Sequence, residues 1–348
     1  MKAWNLYDIG DIRFEDADKP KPSDGEVLIK VKATGICGSD IPRIYKTGAH
    51  NMPLIPGHEF AGEVVECGEK ADKNLIGKRV SVFPLIPCKR CPQCKNKLYE
   101  MCENYDFAGS RSDGAFAEYV KVPEWNVIEI PDKIAYEKAA MLEPMGVAVH
   151  AMRSAQIEPE SLICVSGAGT IGLLLIGFLI DAGYKNIFVI GNKDFQKEKA
   201  AKIGINPENF CDIREINPLL WINEKTDEKG VDIFFECVGK NDSLSLGVAA
   251  ASAKGQIVLV GNPASDMTLL KDVYWRITRK QLKISGIWNS SFTKEETDDW
   301  HYVLSRLPYL PFDAGEFITH RFKIEDLEKG FHIMRDKSED YIKILMLE

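Results

Sequence analysis

Apolar and polar residues alternate from Glu26 to Ala33 (E-V-L-I-K-V-K-A), the two-residue period of a half-buried strand. Shorter strand-like runs follow at Glu63–Glu66, Arg79–Val82 and Ala117–Val122. Glycines and prolines break them closely, among them Gly35, Gly38, Gly48, Pro53, Pro56, Gly57, Gly62, Gly68 and Gly77. This part reads as β-rich and irregular. After Pro144 the period lengthens. Glu143–Ala155, Thr170–Ala182 and Phe195–Ile203 predict helices, and Leu162–Ser166, Asn186–Ile190, Ile233–Glu236, Gln256–Val260 and Lys283–Gly286 predict strands. Strands alternating with long helices imply βαβ units and a doubly wound parallel sheet. Beyond Trp288 the pattern is mixed again, and it ends in a strand at Tyr341–Leu347. The expected class is α/β. A β-rich domain covers 1–150, a parallel-sheet domain 151–287, and a return to the first domain 288–348.

Bulk properties narrow the function classes. The chain has 348 residues, enough for two cores, with 45% hydrophobic and 28% charged residues. A net charge of −8 disfavours nucleic acid, whose phosphates need a basic face. The longest apolar run, Ile171 to Ile180, is too short to span a bilayer. The N-terminal residues carry early acids and no apolar leader core, and nine cysteines fit a reducing compartment, so the expected location is cytoplasmic.

Gly167, Gly169 and Gly172 form G-A-G-T-I-G, straight after a predicted strand and at the head of an apolar helix containing Thr170 and Ile171. Alone the motif is weak. In this strand–turn–helix setting it marks a Rossmann dinucleotide loop, whose helix N-terminus faces the pyrophosphate. An NAD site places an acid at the end of the second strand. Here that strand ends in Gly191, Asn192 and Lys193. A small residue followed by a lysine favours NADP(H), with NAD(H) the alternative should Asp194 take the acidic role.

Cys88, Cys91, Cys94 and Cys102 follow a Cys-x2-Cys-x2-Cys-x7-Cys pattern within about 86–104. Four thiolates close a tetrahedral shell around zinc, which makes a structural site. A second, open site is expected from Cys37, with Ser39 and Asp40, in G-I-C-G-S-D, from His58 and Glu59 in P-G-H-E-F-A-G, and from Glu143 in M-L-E-P. One thiolate, one imidazole and one carboxylate leave a position for a substrate oxygen. Singly, each is unremarkable: a lone cysteine is usually a small buried hydrophobe. Two zinc ions per chain are expected.

G-H-E-F-A-G-E-V-V-E-C-G resembles the zinc signature of the medium-chain dehydrogenase/reductase superfamily. G-I-C-G-S-D, the four-cysteine lobe, L-E-P and G-A-G-T-I-G occur in that family's order, so the resemblance spans essentially the whole chain. It implies a GroES-like catalytic domain around the Rossmann domain, and catalytic zinc on Cys37, His58 and a glutamate. Within the polyol branch that glutamate is Glu143 or Glu59, with Glu143 favoured. R-I-Y-K-T-G-A-H, Y-D-F-A-G-S-R-S-D-G-A-F-A-E-Y and I-S-G-I-W-N-S-S resemble the polyol-phosphate members. The implied reaction is oxidation of a sugar-alcohol phosphate at a secondary hydroxyl, galactitol 1-phosphate to tagatose 6-phosphate, in a homodimer or homotetramer.

Ser39, two residues from Cys37, is placed to pass the substrate proton outward; it could equally be satisfied by local backbone. Arg43, Lys46 and Arg111 are the candidate phosphate partners, though any one of them alone reads as a solvated charge. His50 and Trp288 are weaker candidates for substrate contact. The alternatives are oxidation of an unphosphorylated polyol or another secondary alcohol, and a zinc-organised binding protein without catalysis.

Overall fold

The computed structural model describes residues 1–263 and 265–348. The strand predicted at Glu26–Ala33 runs on to Ile36. Its alternation breaks there because Ala33 to Ile36 are buried throughout. One edge of this strand pairs with Glu59–Cys67. Its other edge is shared by Tyr119–Pro123 near the start and Lys343–Leu347 near the end. In space the sheet runs Ile318–Phe322, Lys343–Leu347, Glu26–Ile36, Glu59–Cys67, Arg79–Val82, Val127–Glu129. Val27, Ile29, Val31, Phe60, Val64, Phe116, Phe331 and Ile344 share its core.

This pairing has a local consequence. Glu26–Ile36 and Glu59–Cys67 are antiparallel, with Gly35 opposite Glu59. The end of the first strand, just before Cys37, therefore lies beside the start of the second, just after His58. Two strand ends far apart in sequence deliver thiol and imidazole to one place.

The parallel sheet has six strands: Ile163–Ser166, Ile187–Gly191, Phe210–Asp212, Val231–Glu236, Ala251–Leu259 and Lys283–Gly286. In space the order is third, second, first, fourth, fifth, sixth. The winding reverses between the first and fourth strands, the switch point at which such sheets bind nucleotides. Cys164, Phe188, Ile190, Phe234, Val248 and Ile257 belong to its core.

The chain divides into two compact units. The first comprises Met1–Glu143, Ser291–Leu304 and Asp313–Glu348, and the second Pro144–Ser290 and Ser305–Phe312. The division after Glu143 comes earlier than the expected boundary at 150, which falls inside the helix Leu142–Ser154. The C-terminal return also differs from a single 288–348 segment, because Ser305–Phe312 belongs to the second unit. Within that unit Arg306 binds Asp181 through two bonds of 2.8 Å. Gly177 leaves room for Phe312: a Cβ there would stand 2.1 Å from its ring.

Candidate active site and metal centres

In the first unit, ligand atoms of Cys37, His58 and Glu59 all lie within 4.8 Å of one another. His58 and Glu59 are buried, and the His58 ring packs edge-on to Phe107 at 5.6 Å. Behind His58 stands Asp40, fully buried, its Oδ1 3.4 Å from Nδ1 of His58. Asp40 Oδ2 accepts the Cys37 backbone N–H at 2.9 Å, and Arg43 pairs with Oδ1. Burial alone would raise the Asp40 pKa, yet His58, Arg43 and that N–H hold it below the ordinary carboxylate value. Burial works against protonated His58, but the charges of Asp40 and Cys37 lift its pKa well above the usual one. A carboxylate against the second ring nitrogen of a ligating histidine fixes its tautomer and orientation. Asp40 lay inside the G-I-C-G-S-D motif; its role depends on a ring that its spacing does not reveal.

Glu143 is buried but stands outside the 4.8 Å set, whereas the sequence favoured it over Glu59. Burial pushes its carboxyl up to about 7, with His58 lowering it and Glu59 raising it. Glu59 forms a buried ion pair with Lys343, a residue that no motif along the chain singles out. Cys37, His58 and Glu59 offer a thiol, an imidazole and a carboxylate, while Arg43 answers Asp40 and Lys343 answers Glu59. That mixed soft and hard donor set suits a divalent cation such as zinc.

The other predicted residues of this unit are spread more widely. Ser39 is half-buried at the head of the short helix Asp40–Pro42 and makes no side-chain cap bond. Arg43 is committed to Asp40, so it is not a free phosphate partner. Lys46 and His50 are exposed. Arg111 lies over the Tyr105 ring at 4.1 Å. It lines a cavity with Asn51, Asp106 and Lys121 whose walls include none of Cys37, His58 and Glu59.

The four-cysteine lobe gathers Cys88, Cys91, Cys94 and Cys102 within 4.8 Å. Lys89 and Lys97 adopt left-handed backbone that folds the loop back on itself. Sulfurs at about 2.3 Å from a tetrahedral zinc stand about 3.8 Å apart. The Cys91 and Cys102 sulfurs are 3.9 Å apart. Backbone N–H groups of Arg90 and Cys91 pull the Cys88 pKa down to about 6, whereas burial pushes Cys94 up to about 12. The set fits a closed zinc site.

In the second unit the three loop glycines meet different demands. Gly167 has φ +102°, and a Cβ there would stand 2.9 Å from Val238. Gly169 has nothing within 4 Å of its would-be Cβ, leaving its backbone open to approach. A Cβ at Gly172 would lie 1.9 Å from the Gly167 carbonyl oxygen. Thr170 and Ile171 open the helix Thr170–Asp181, which has no side-chain cap and so presents the N-terminus that phosphate prefers. Gly191 ends the second strand opposite Asp212, and Asn192 donates its N–H to Gln196. Arg214, unnoticed in the sequence, binds Asp212 and reaches Asp194, beside Lys193. It sits two residues past the third strand, so only strand order brings it here. Trp288 is 51% exposed, which excludes a core role.

Residues 23–132 match the model for the alcohol dehydrogenase GroES-like domain, and 170–307 match that for zinc-binding dehydrogenases. The chain is 33% identical over 306 residues to galactitol 1-phosphate 5-dehydrogenase of Escherichia coli K12, covering 88% of each chain. It is 33% identical over 352 residues to sorbitol dehydrogenase of Bacillus subtilis, covering 99% of this chain and 97% of that one. The crystal structure of galactitol-1-phosphate dehydrogenase from Escherichia coli superposes with a TM-score of 0.91 at 30% identity, covering all of both chains.

Proposed function

This chain belongs to the zinc-dependent medium-chain alcohol dehydrogenase family, and from that premise we propose that it oxidises a secondary hydroxyl of a sugar-alcohol phosphate, galactitol 1-phosphate to tagatose 6-phosphate, with NADP(H) preferred to NAD(H). The reading rests on one observation: Cys37, His58 and Glu59 offer mixed donors within 4.8 Å on a unit whose sheet delivers them from two strand ends. Held by these donors, zinc would supply Lewis acidity toward a substrate hydroxyl, and a dinucleotide on the glycine loop would supply the hydride acceptor.

The chain's own residues do the rest. Cys37, His58 and a glutamate, Glu143 or Glu59, hold the catalytic cation. Cys88, Cys91, Cys94 and Cys102 hold a structural one. Asp40 orients His58, and Ser39 carries the substrate proton outward. Gly167, Gly169, Thr170, Ile171 and Gly172 cradle the pyrophosphate. Lys193, beside Gly191 and Asn192, is the cation for a 2′-phosphate, since Arg214 is already shared between Asp212 and Asp194. The absence of an acid at the end of the second strand, which closes in Gly191, Asn192 and Lys193, supports NADP(H). Lys46 and Arg111 remain the candidates for the substrate phosphate.

A second reading, an unphosphorylated polyol as substrate, is favoured by the commitment of Arg43 to Asp40. Comparing kcat/KM for galactitol 1-phosphate and sorbitol, each with both cofactors, decides between them. A clear preference for sorbitol overturns the phosphate assignment, and a clear preference for NAD overturns the cofactor one. Counting metals tests the rest: two zinc ions per chain support the enzyme, one supports a scaffold. Among the described residues, no helix is long and apolar enough to cross a membrane.

A further inference from the structure

We propose that Glu236 is a positioning residue for the dinucleotide: its buried carboxylate shapes the turn Cys237, Val238, Gly239 into a wall of the nucleotide crevice, set against the Gly167 loop. The inference rests on the dinucleotide site proposed above and deepens it.

Three observations carry it. Glu236 ends the fourth strand of the parallel sheet, in register with Ser166, the residue before Gly167. It therefore stands where the strand order reverses, on the side of the switch point away from Lys193. Next, Glu236 is 2% exposed, and its carboxylate is bonded to the backbone just beyond it. Oε1 accepts the N–H of Val238 at 2.8 Å and that of Gly239 at 2.9 Å, and Oε2 accepts the latter at 3.1 Å. A buried carboxylate is costly unless its oxygens are bonded, so the turn and the burial of this acid depend on each other. Finally, the turn is wedged between two glycines. A Cβ at Gly167 would stand 2.9 Å from Val238, and a Cβ at Gly261 would stand 2.2 Å from the Gly239 nitrogen. Cys237 donates its N–H to the Ser166 carbonyl at 2.9 Å, which ties the turn to the glycine loop. Val238 stays 39% exposed, an apolar side chain beside that loop. A wall held in place before the ligand arrives lowers the ordering cost of binding.

The experiment measures the Kd for NADPH and for NADH by fluorescence titration, with zinc content and melting temperature alongside. Glu236→Leu removes the acceptor and is expected to raise the Kd of the tighter-bound dinucleotide at least about tenfold, with zinc content unchanged. Glu236→Gln keeps one oxygen for both N–H groups and should stay within about threefold of wild type. Gly261→Ala presses on the same turn from its other side and should also raise the Kd at least about tenfold. Should Glu236→Leu fold poorly, Glu236→Gln and Gly261→Ala still decide the matter. Thr226→Val supplies the control for lost stability alone. The Thr226 hydroxyl is buried and bonds Ile222 and Gly230 before the fourth strand begins, so this variant should melt lower and keep its dinucleotide affinity. Unchanged affinity in Glu236→Leu and Gly261→Ala overturns the role of Glu236. So does a loss in Thr226→Val, or in Glu236→Gln, as large as that in Glu236→Leu. A wild-type protein that binds neither NADPH nor NADH removes the dinucleotide site itself, and the inference with it.

Discussion

Asp40 Oδ1 stands 3.4 Å from Nδ1 of His58, with both side chains buried. Arg43 balances the carboxylate, and the Cys37 N–H ties it to the neighbouring donor. One acid thus sets the orientation of two candidate ligands. Asp40→Asn keeps the shape and removes the charge. Zinc affinity at this site should fall about 10–100-fold, the usual cost of losing such a partner, while the lobe's zinc remains. Chelator competition followed by metal analysis checks this.

The same pair gives a pH effect. The charges of Asp40 and Cys37, against the effect of burial, raise the His58 pKa well above its usual value. In the metal-free protein this group therefore adds stability below about pH 6.5, and the gain is lost as pH rises through the raised value. A ligating imidazole must be neutral, so metal uptake near neutral pH should release the His58 proton, and affinity should weaken as pH falls. Indicator-dye titration of metal-free protein with zinc measures it. Release unchanged by His58→Gln would show that the proton comes from elsewhere.

Gly35→Ala should be unusually costly for so small a change. Its Cβ would meet Glu59 and Lys343 at 2.2 and 2.7 Å. Overpacking of this kind costs about 1–3 kcal/mol. The melting temperature should drop by several degrees, and Co²⁺ absorption at the Cys37 site should change. Calorimetry and the spectrum together test this; a Gly35→Ala protein with both unchanged would contradict the close approach.

Gly172→Val should spare the metals and damage cofactor binding. Position 172 has 1.9 Å between a would-be Cβ and the Gly167 carbonyl oxygen, so the loop must open. We expect the KM for the dinucleotide to rise at least about tenfold, with zinc content unchanged. Fluorescence titration with NADPH provides an independent reading.

Cys94→Ser should empty the four-cysteine lobe. Metal content should fall by one per chain and the melting temperature by about 5 °C or more. The lobe is also tied to its own unit through Tyr99 against Trp125, with ring centroids 4.9 Å apart, and through the Lys97–Glu295 pair. Loss of the metal should therefore loosen 291–304 as well, visible as faster amide exchange there.

Much of the fold and site was legible along the chain. Periodicity located five of the six parallel-sheet strands and the helices Leu142–Ser154, Thr170–Asp181 and Asp194–Ile203, with Arg79–Val82 and Lys283–Gly286 at the expected ends; the strands Lys2–Asp8 and Asp11–Asp16 and the helices from Pro218–Lys225 onward went unbounded. The cysteine spacing and the glycine loop were legible because each is a local device, closed within one turn of chain, whose geometry follows from residue type and separation. What needed the folded chain was everything set by register between distant strands. Lys343 reaches Glu59 only because Lys343–Leu347 pairs beside Glu26–Ile36 and Gly35 leaves the gap. Arg214 comes beside Lys193 only because the third strand lies next to the second. Charges buried in a low-dielectric interior must find partners. Which partner each finds is decided by strand order and side-chain facing, and neither is written in the spacing of a motif.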